Sequence, residues 1–542
     1  MSKVAQYLQE HLTGEVTVSP EARRHFAYDA SILRMAPAMV VYPRTEDDVR
    51  KTARFSWQLA ERERGLPITA RGGGSDTSGA AIGGGILLAM TAHMNRILAL
   101  DPKKEFVTVE PGVSYDKLQQ TLYTHGLFLP VYPASASYAT LGGGIANNAV
   151  GEKSVKYGDT LRFVQNLRVV LANGEIIETG PLSKRELNRK MGQSNFEGEV
   201  YRALDKLLEE NASPISNYAS QKQTQYVSAG YNLDKVKTKD GFNLTPLFVG
   251  SQGSLGIITE ASLKVVSHTP TTTLAMVSLN NLNDFADMLP EILNLKPSLL
   301  DMVNKQALEQ VSKINPSQLH NALGLTSAAI HLFIEFDEHR DGQQKKDAKN
   351  LIKLVDKYGG YCKVADTPEE QQSIWKVRHS VSSLVNHVYG PRRAVPVAED
   401  IAVPIDRLVD FMRAAEKVYV QADQPAAIWG QAGSGIVRMH PILDLAQVGD
   451  RQKLFKIQDT LYAAALKAGG SISAGAGDGR VRAPYLRAAL GDDMYKLILT
   501  TKRIFDPHNL LNPGVKTANT EQVRAIMRSD YSVRNHEHLP RS

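Results

Sequence analysis

Three glycine-rich stretches, each beside a short apolar run, constrain this chain more than any other feature. The first reads Arg71-Gly72-Gly73-Gly74-Ser75-Asp76-Thr77-Ser78-Gly79 and follows an expected strand, Pro67–Ala70. Consecutive glycines let backbone N–H groups approach a ligand closely and line a concave anion nest. Ser75, Thr77 and Ser78 add hydroxyl donors, which suits a pyrophosphate. Standing alone, the run would serve equally as an ordinary turn. It is not a Rossmann fingerprint, because G-x-G-x-x-G opening a helix is absent from it.

The second stretch comprises Pro133-Ala134-Ser135, then Thr140-Leu141-Gly142-Gly143-Gly144-Ile145-Ala146-Asn147-Asn148, then Gly151 and Lys156-Tyr157-Gly158. Small residues again permit backbone contact, and two adjacent Asn side chains offer amide donors and acceptors. The third, Gly250-Ser251-Gln252-Gly253-Ser254-Leu255-Gly256-Ile257-Ile258, leads into an apolar strand and suits backbone laid along a flat ligand.

The bulk numbers bound the rest. At 542 residues the chain is too long for one ordinary core, and two or three domains are expected. Its 63 Lys and Arg against 57 Asp and Glu leave a net charge of +6, too weak to argue for nucleic acid. No apolar run is long enough to span a bilayer. The polar start, Met1–Glu10, lacks a signal-peptide core, so a cytoplasmic location is expected, with peripheral contact at the inner face of the membrane left open. The lone cysteine, Cys362, excludes an internal disulfide and a cysteine-held zinc or iron–sulfur site, and reads as a packed strand residue.

Along the chain, residues 1–35 form a polar lead-in and 516–542 a polar, mobile tail. Between them, 36–268 alternates strands and helices. Thr45 caps a helix to Arg62, and Asn173-Gly174 turns a hairpin between Asn166–Leu171 and Glu175–Glu178. Residues 181–245 are rich in Lys, Asn, Gln and Ser and read as an excursion over the surface, helical around Glu199–Glu210. A second block, 269–425, has strands at Thr273–Leu279 and Ala328–Glu335 and a helix at Asp341–Lys357. A third, 426–515, carries a helix at Arg451–Ala468, a glycine-rich turn and a further helix.

The order and separation of the three glycine stretches, with Tyr28-Asp29-Ala30-Ser31 near the start and Phe505-Asp506-Pro507-His508-Asn509-Leu510-Leu511-Asn512-Pro513-Gly514 near the end, resemble the PCMH-type (vanillyl-alcohol-oxidase-like) FAD-binding proteins. The similar branch is that of D-lactate dehydrogenase, D-2-hydroxyglutarate dehydrogenase and the GlcD-type component of glycolate oxidase. The resemblance implies an α+β chain: a two-subdomain FAD-binding domain (36–268), an α/β cap or substrate domain (269–425) and a C-terminal flavin-contacting segment (426–515). It implies that Arg71, Gly72, Gly73, Gly74, Ser75, Asp76, Thr77 and Ser78 hold the FAD pyrophosphate. Pro133, Thr140, Gly142, Gly143, Asn147, Asn148, Gly151, Tyr157 and Gly158 support the same cofactor. Gly256, Ile257 and Ile258 contact it by backbone, and Asn512 approaches the isoalloxazine. Some relatives attach FAD through a histidine after the glycine triplet. Here that position is Ser75, so non-covalent FAD is expected.

On the substrate side, Trp375-Lys376-Val377-Arg378 resembles the family segment whose arginine grips a carboxylate, a task suited to a planar guanidinium fork. A surface ion-pair arginine is the other reading. Arg392 and Arg393, before Pro396-Val397-Ala398-Glu399-Asp400-Ile401-Ala402-Val403-Pro404, would add positive charge. The family's hydroxy-acid dehydrogenases also carry metal-binding histidines and a Glu-His pair. This chain has Gln431 and Arg438 where the histidines should stand, and Gly475 and Ala476 in place of Glu-His. Gln and Arg are unsuited to zinc, and Gly and Ala offer no donor, so no metal is expected. His440 is the nearest substitute base, or a structural histidine before Pro441, and Arg438 would stabilise an anion. Asp478 and Tyr485 are weaker candidates.

Two readings follow. One is an FAD-dependent dehydrogenase or oxidase acting on a small organic acid or alcohol near Arg378, Arg438 and His440. It would pass electrons to a separate acceptor: a quinone, a cytochrome, a partner subunit or oxygen. The other is a flavin-binding electron-transfer or structural subunit that has lost hydroxy-acid chemistry.

Overall fold

The structure is a computed structural model that describes residues 3–314, 319, 328–338, 342–381, 388–389 and 392–529. Two sheets carry the N-terminal half. In the first, Glu15–Thr17, Met39–Tyr42, Ile86–Ala89 and Ile68–Arg71 lie side by side in that order. The last three run parallel, with Arg71 opposite Ala89. A parallel pair needs a crossover, and the helix Glu46–Ala60 supplies it. Its N-cap is Thr45, whose hydroxyl accepts the Asp48 N–H as its position predicts.

The second sheet is antiparallel, in the order Ile97–Asp101, Phe106–Val109, Ile257–Lys264, Val164–Val170, Ile176–Glu178. The expected hairpin is present, with Val170 opposite Ile176. One apolar core underlies this sheet, and residues 181–245 belong to it: Leu187, Val200, Tyr201, Leu204, Ile215, Leu233 and Phe242 are buried there. The surface excursion is therefore corrected. Its polar composition is that of the outer faces of the helices Lys184–Met191, Phe196–Glu210 and Ala212–Gln221, whose apolar stripes face inward.

A larger antiparallel sheet forms the second half. Among the described residues its order is Tyr361–Val364, Thr273–Leu279, Ile330–Phe336, Leu299–Asn304, Ile428–Gln431, Ile436–Met439, Ile401–Ala402. Alternate residues bury on opposite faces. Ala275, Val277 and Leu279 meet the helices Leu282–Asn294, Gln343–Lys357, Leu408–Gln421 and Val448–Lys467. Leu274 and Met276 meet Lys305–Ile314 and Pro368–Ser380. Strands on both sides of residue 425 share this sheet. Asp341, read as the start of a helix, lies outside the described residues.

The chain then returns to the N-terminal half. The helix Asp492–Phe505 packs into the second sheet's core, and the Ile68 N–H donates to Leu510 O at 2.7 Å. The tail also needs correction up to residue 529. Lys516 is buried and pairs with Asp478 at 2.6 Å, and Arg528 is buried against Asp29 O and Leu33 O. A polar sequence hides these anchors because each cation is satisfied by an interior oxygen. Residues 530–542 lie outside the described residues.

Candidate active-site cleft

Where the pairing of Ile68–Arg71 ends, the chain turns into the first glycine stretch at the floor of a cleft. Arg71 folds back beneath it. Its guanidinium donates to Tyr28 O at 2.7 Å and Ala81 O at 3.2 Å and lies 5.3 Å from the Phe26 ring centre. Burial pulls its pKa down to about 10, against the opposing charges of Asp29 and Asp76. The loop lies so close to its surroundings that side chains do not fit. A Cβ on Gly72 would sit 2.1 Å from Thr140 Oγ1, and one on Gly73 would sit 2.0 Å from Tyr138 O. Gly74 has φ +77°, which glycine tolerates at no cost. Asp76 points into the loop, accepting the N–H groups of Ser78 at 3.0 Å and Ala80 at 2.7 Å. The backbone N–H groups of Gly73–Thr77 find no acceptor among the described residues.

The second stretch is helical where the glycines fall. Thr140 caps Leu141–Asn147, and Asn148, at φ +52°, ends it. Gly144 packs against the Tyr115 hydroxyl, where a Cβ would approach to 1.9 Å. Gln252, from the third stretch, ties the pieces together. Its side-chain N–H group donates to Asn147 Oδ1 at 2.8 Å and Ser78 Oγ at 2.9 Å, and Oε1 accepts the Gly479 N–H at 2.7 Å.

Of the residues expected to touch the cofactor, Arg71, Gly72, Gly73, Gly74, Ser75, Asp76, Thr77, Pro133, Thr140, Gly142, Gly143, Asn147, Gly256, Ile257 and Ile258 line one cleft. Ser78, Asn148, Gly151, Tyr157, Gly158 and Asn512 are outside that lining. Ser78 is buried beneath it. Asn148 is held by Asp159 and the Leu161 N–H. The Tyr157 hydroxyl donates to Asp337 at 3.1 Å, on the second half of the chain. Asn512 is a brace: it donates to Ala80 O at 2.7 Å and Gln252 O at 2.8 Å and accepts from Thr69 and Arg480 at 3.0 Å each.

The other end of the cleft is built by the large sheet and the C-terminal segment. Arg378, Glu399, Trp429, Gln431, Arg438, His440, Gly475 and Ala476 all line it. The positions where the sequence departs from its resemblance thus converge with Arg378 and His440. Arg378 is buried on Asp301, with Nε and Nη2 each 2.6 Å from Oδ2. Burial raises the Asp301 carboxyl despite that guanidinium. Glu399 faces His440 Nε2 at 3.1 Å and Arg438 Nη1 at 3.6 Å. Burial opposes its ionisation, but His440, Arg438 and Arg482 prevail and hold its pKa at about 2. His440 Nδ1, Arg438 Nε and Gln431 Oε1 are buried with no protein partner. Asp400, at φ +68°, receives the N–H groups of Ala474, Gly475 and Ala476 at 2.9, 3.0 and 2.7 Å, which fixes the small-residue turn. Asp478 is buried on Lys516 and Tyr485 bonds Asp459 at 2.6 Å; neither lines the cleft. Arg393 pairs in a strand with Val388, and Arg392 is exposed. Among the described residues no three His, Cys, Asp or Glu side chains converge as a metal would require.

Sequence reasoning passed over Gln252, Tyr138 and Trp429, and it left Glu399 without a role. Gln252 lies inside the third glycine run, and a long polar side chain amid glycines was the available signal. Nothing in the local sequence marks Tyr138 or Trp429.

The cleft, with the open solvent at its mouth, spans roughly 1900 Å³. Unpartnered amides over a glycine floor fit a pyrophosphate, and the flanking backbone of Gly256–Ile258 fits a flat ring system, so these residues fit a flavin dinucleotide. Comparison with known proteins agrees. Residues 37–180 match the FAD binding domain, and residues 269–515 match the C-terminal domain of FAD linked oxidases. D-2-hydroxyglutarate dehydrogenase of Escherichia coli K12 is 30% identical over 93% of this chain and 50% of its own length. The chain therefore spans about half the length of that relative. D-lactate dehydrogenase of Anaerostipes hadrus is 26% identical (92% of this chain, 94% of the relative). Glycolate oxidase subunit GlcD of Bacillus subtilis is 28% identical (94% and 95%). The fold matches 4-ethylphenol oxidase from Gulosibacter chungangensis with TM-score 0.70 at 16% identity, over 96% of this chain and 98% of that one.

Proposed function

This chain belongs to the FAD-linked oxidase family, joining an FAD binding domain to the family's C-terminal domain, and from that premise we propose that it is a dehydrogenase for a small 2-hydroxy acid or related alcohol. Bound FAD supplies the two-electron acceptor for a hydride. The reading of its attachment is non-covalent, supported by Ser75 lining the cleft beside the glycine triplet.

One observation carries the proposal. Arg438 offers a buried N–H without an acceptor, His440 a buried ring nitrogen without a partner, and both side chains line the cleft that holds the glycine loops. Buried polar groups are nearly always satisfied, so such a pair calls for a partner from the cleft, a ligand or an ordered water. Arg438 and Arg378 bring positive charge for a carboxylate, and Trp429 adds apolar surface beside His440. Reoxidation falls to a separate acceptor: a quinone, a cytochrome, a partner subunit or oxygen.

Anaerobic mixing of the FAD-loaded protein with a panel of 2-hydroxy acids and sugar alcohols tests this. Bleaching of the flavin band by one compound supports the dehydrogenase. No bleaching by any, with FAD bound, favours an electron-transfer or structural subunit, the reading to which Gly475 and Ala476 lend weight.

A further inference from the structure

We propose that Glu399 is a positioning residue that fixes the His440 imidazole so that Nδ1 receives the hydroxyl proton of the substrate. The proposal rests on the dehydrogenase reading above.

Glu399 and His440 are both almost wholly buried, with side chains 8% and 4% exposed. Their contact is His440 Nε2 to Glu399 Oε2, 3.1 Å. An ionised carboxylate only accepts, so in the neutral imidazole the ring hydrogen sits on Nε2 and the lone pair on Nδ1. Nδ1 is the atom with no protein partner. Trp429 meets the ring edge-on at 4.9 Å and 76° and packs against it. The charged groups facing this pair are Arg438, 3.6 Å from the other Glu399 oxygen, and Arg482, whose Nη1 reaches Glu399 O at 3.5 Å. The next residue, Asp400, is pinned by its hydrogen bonds to Ala474, Gly475 and Ala476, so Glu399 cannot drift.

In the step assigned, the substrate O–H bond breaks and its proton goes to Nδ1. The released electron pair becomes the second C–O bond, and FAD held over the Gly72–Thr77 loop would supply the acceptor for the hydride lost from that carbon. Arg438 Nε–H donates to a neighbouring substrate oxygen.

Histidine ¹⁵N spectra of the FAD-loaded protein read the tautomer directly, with H440N identifying the signal. The Nε2–H form is expected in the parent and in E399D, and a mixture in E399Q, because a glutamine can donate as well as accept. With a reducing substrate in hand, E399Q is expected to slow flavin reduction about 10²- to 10⁴-fold with little change in substrate binding, and to move the pH profile. E399D restores part of the rate. FAD absorbance confirms that each variant is folded and loaded. An Nδ1–H tautomer in the parent, or an E399Q protein with unchanged tautomer and pH profile, overturns the proposal. A panel that bleaches nothing overturns the dehydrogenase reading instead, while the tautomer still decides the role of Glu399.

Discussion

Gln252 Oε1 accepts the backbone N–H of Gly479 at 2.7 Å, across 227 residues of sequence. The same side chain reaches Asn147 and Ser78, so one amide joins three glycine stretches to the C-terminal segment. Gln252 thus clamps the glycine stretches to the C-terminal segment, beside the Asn512 brace.

Q252A is therefore expected to weaken FAD retention more than it weakens the fold. Buried Ser78 and Gly479 and half-buried Asn147 lose their bonds, at about 1–3 kcal/mol for a buried group left unsatisfied. The FAD dissociation constant is expected to rise on the order of tenfold or more, read by fluorescence on dilution, with a fall in Tm of a few degrees. An unchanged constant would show that the clamp is redundant.

G73A addresses the floor. Its Cβ would lie 2.0 Å from Tyr138 O, a backbone atom that cannot swing aside. The loop must move, and the free amides of Gly73–Thr77 shift with it. The purified variant is expected to be nearly colourless yet folded, by absorbance near the flavin bands and by circular dichroism. A fully yellow G73A protein would remove these amides from the cofactor site.

Much of this is legible in the sequence because local chemistry sets it. Thr45 as a cap, the Asn173-Gly174 turn and the glycine stretches each act over a few residues. The resemblance implied a common site for the three stretches, and residues from all three line one cleft. The burial of 181–245 was hidden because a helix with one apolar stripe has the composition of a surface. The tail misled for another reason: Lys516 and Arg528 read as solvated charges until the distant oxygens of Asp478 and Asp29 are placed beside them. Asn512, expected to approach the isoalloxazine, bonds Gln252 O and Ala80 O behind the lining. Such long-range pairings have no local signature.

Glu399 also makes stability depend on pH. Its folded pKa is about 2 against an ordinary value of 4.5. A carboxyl held low stabilises the fold above its unfolded pKa and loses that contribution as pH falls through the folded one. The window is thus pH 4.5 to about 2, and the effect is on the order of 3 kcal/mol. Denaturant melts of parent and E399Q are expected to differ most above pH 5 and to converge as pH approaches 2. A constant gap across that range would show that the carboxyl ionises normally.

Arg378 poses the last question: whether it serves the fold, the substrate, or both. Its guanidinium is 4% exposed and rests 2.6 Å from Asp301, whose other oxygen has no partner. Removing one member of a buried pair strands the other, at about 3–5 kcal/mol, so R378M alone is expected to lose much of its stability. In R378M/D301N the stranded charge is gone, and most of that loss is expected to return. Affinity for an anionic substrate should not return with it, because neither methionine nor asparagine presents positive charge to the cleft. Melting curves and substrate titration of the flavin spectrum separate the two effects. Recovery of both in the double variant would make Arg378 an ion-pair arginine and leave Arg438 to hold the carboxylate.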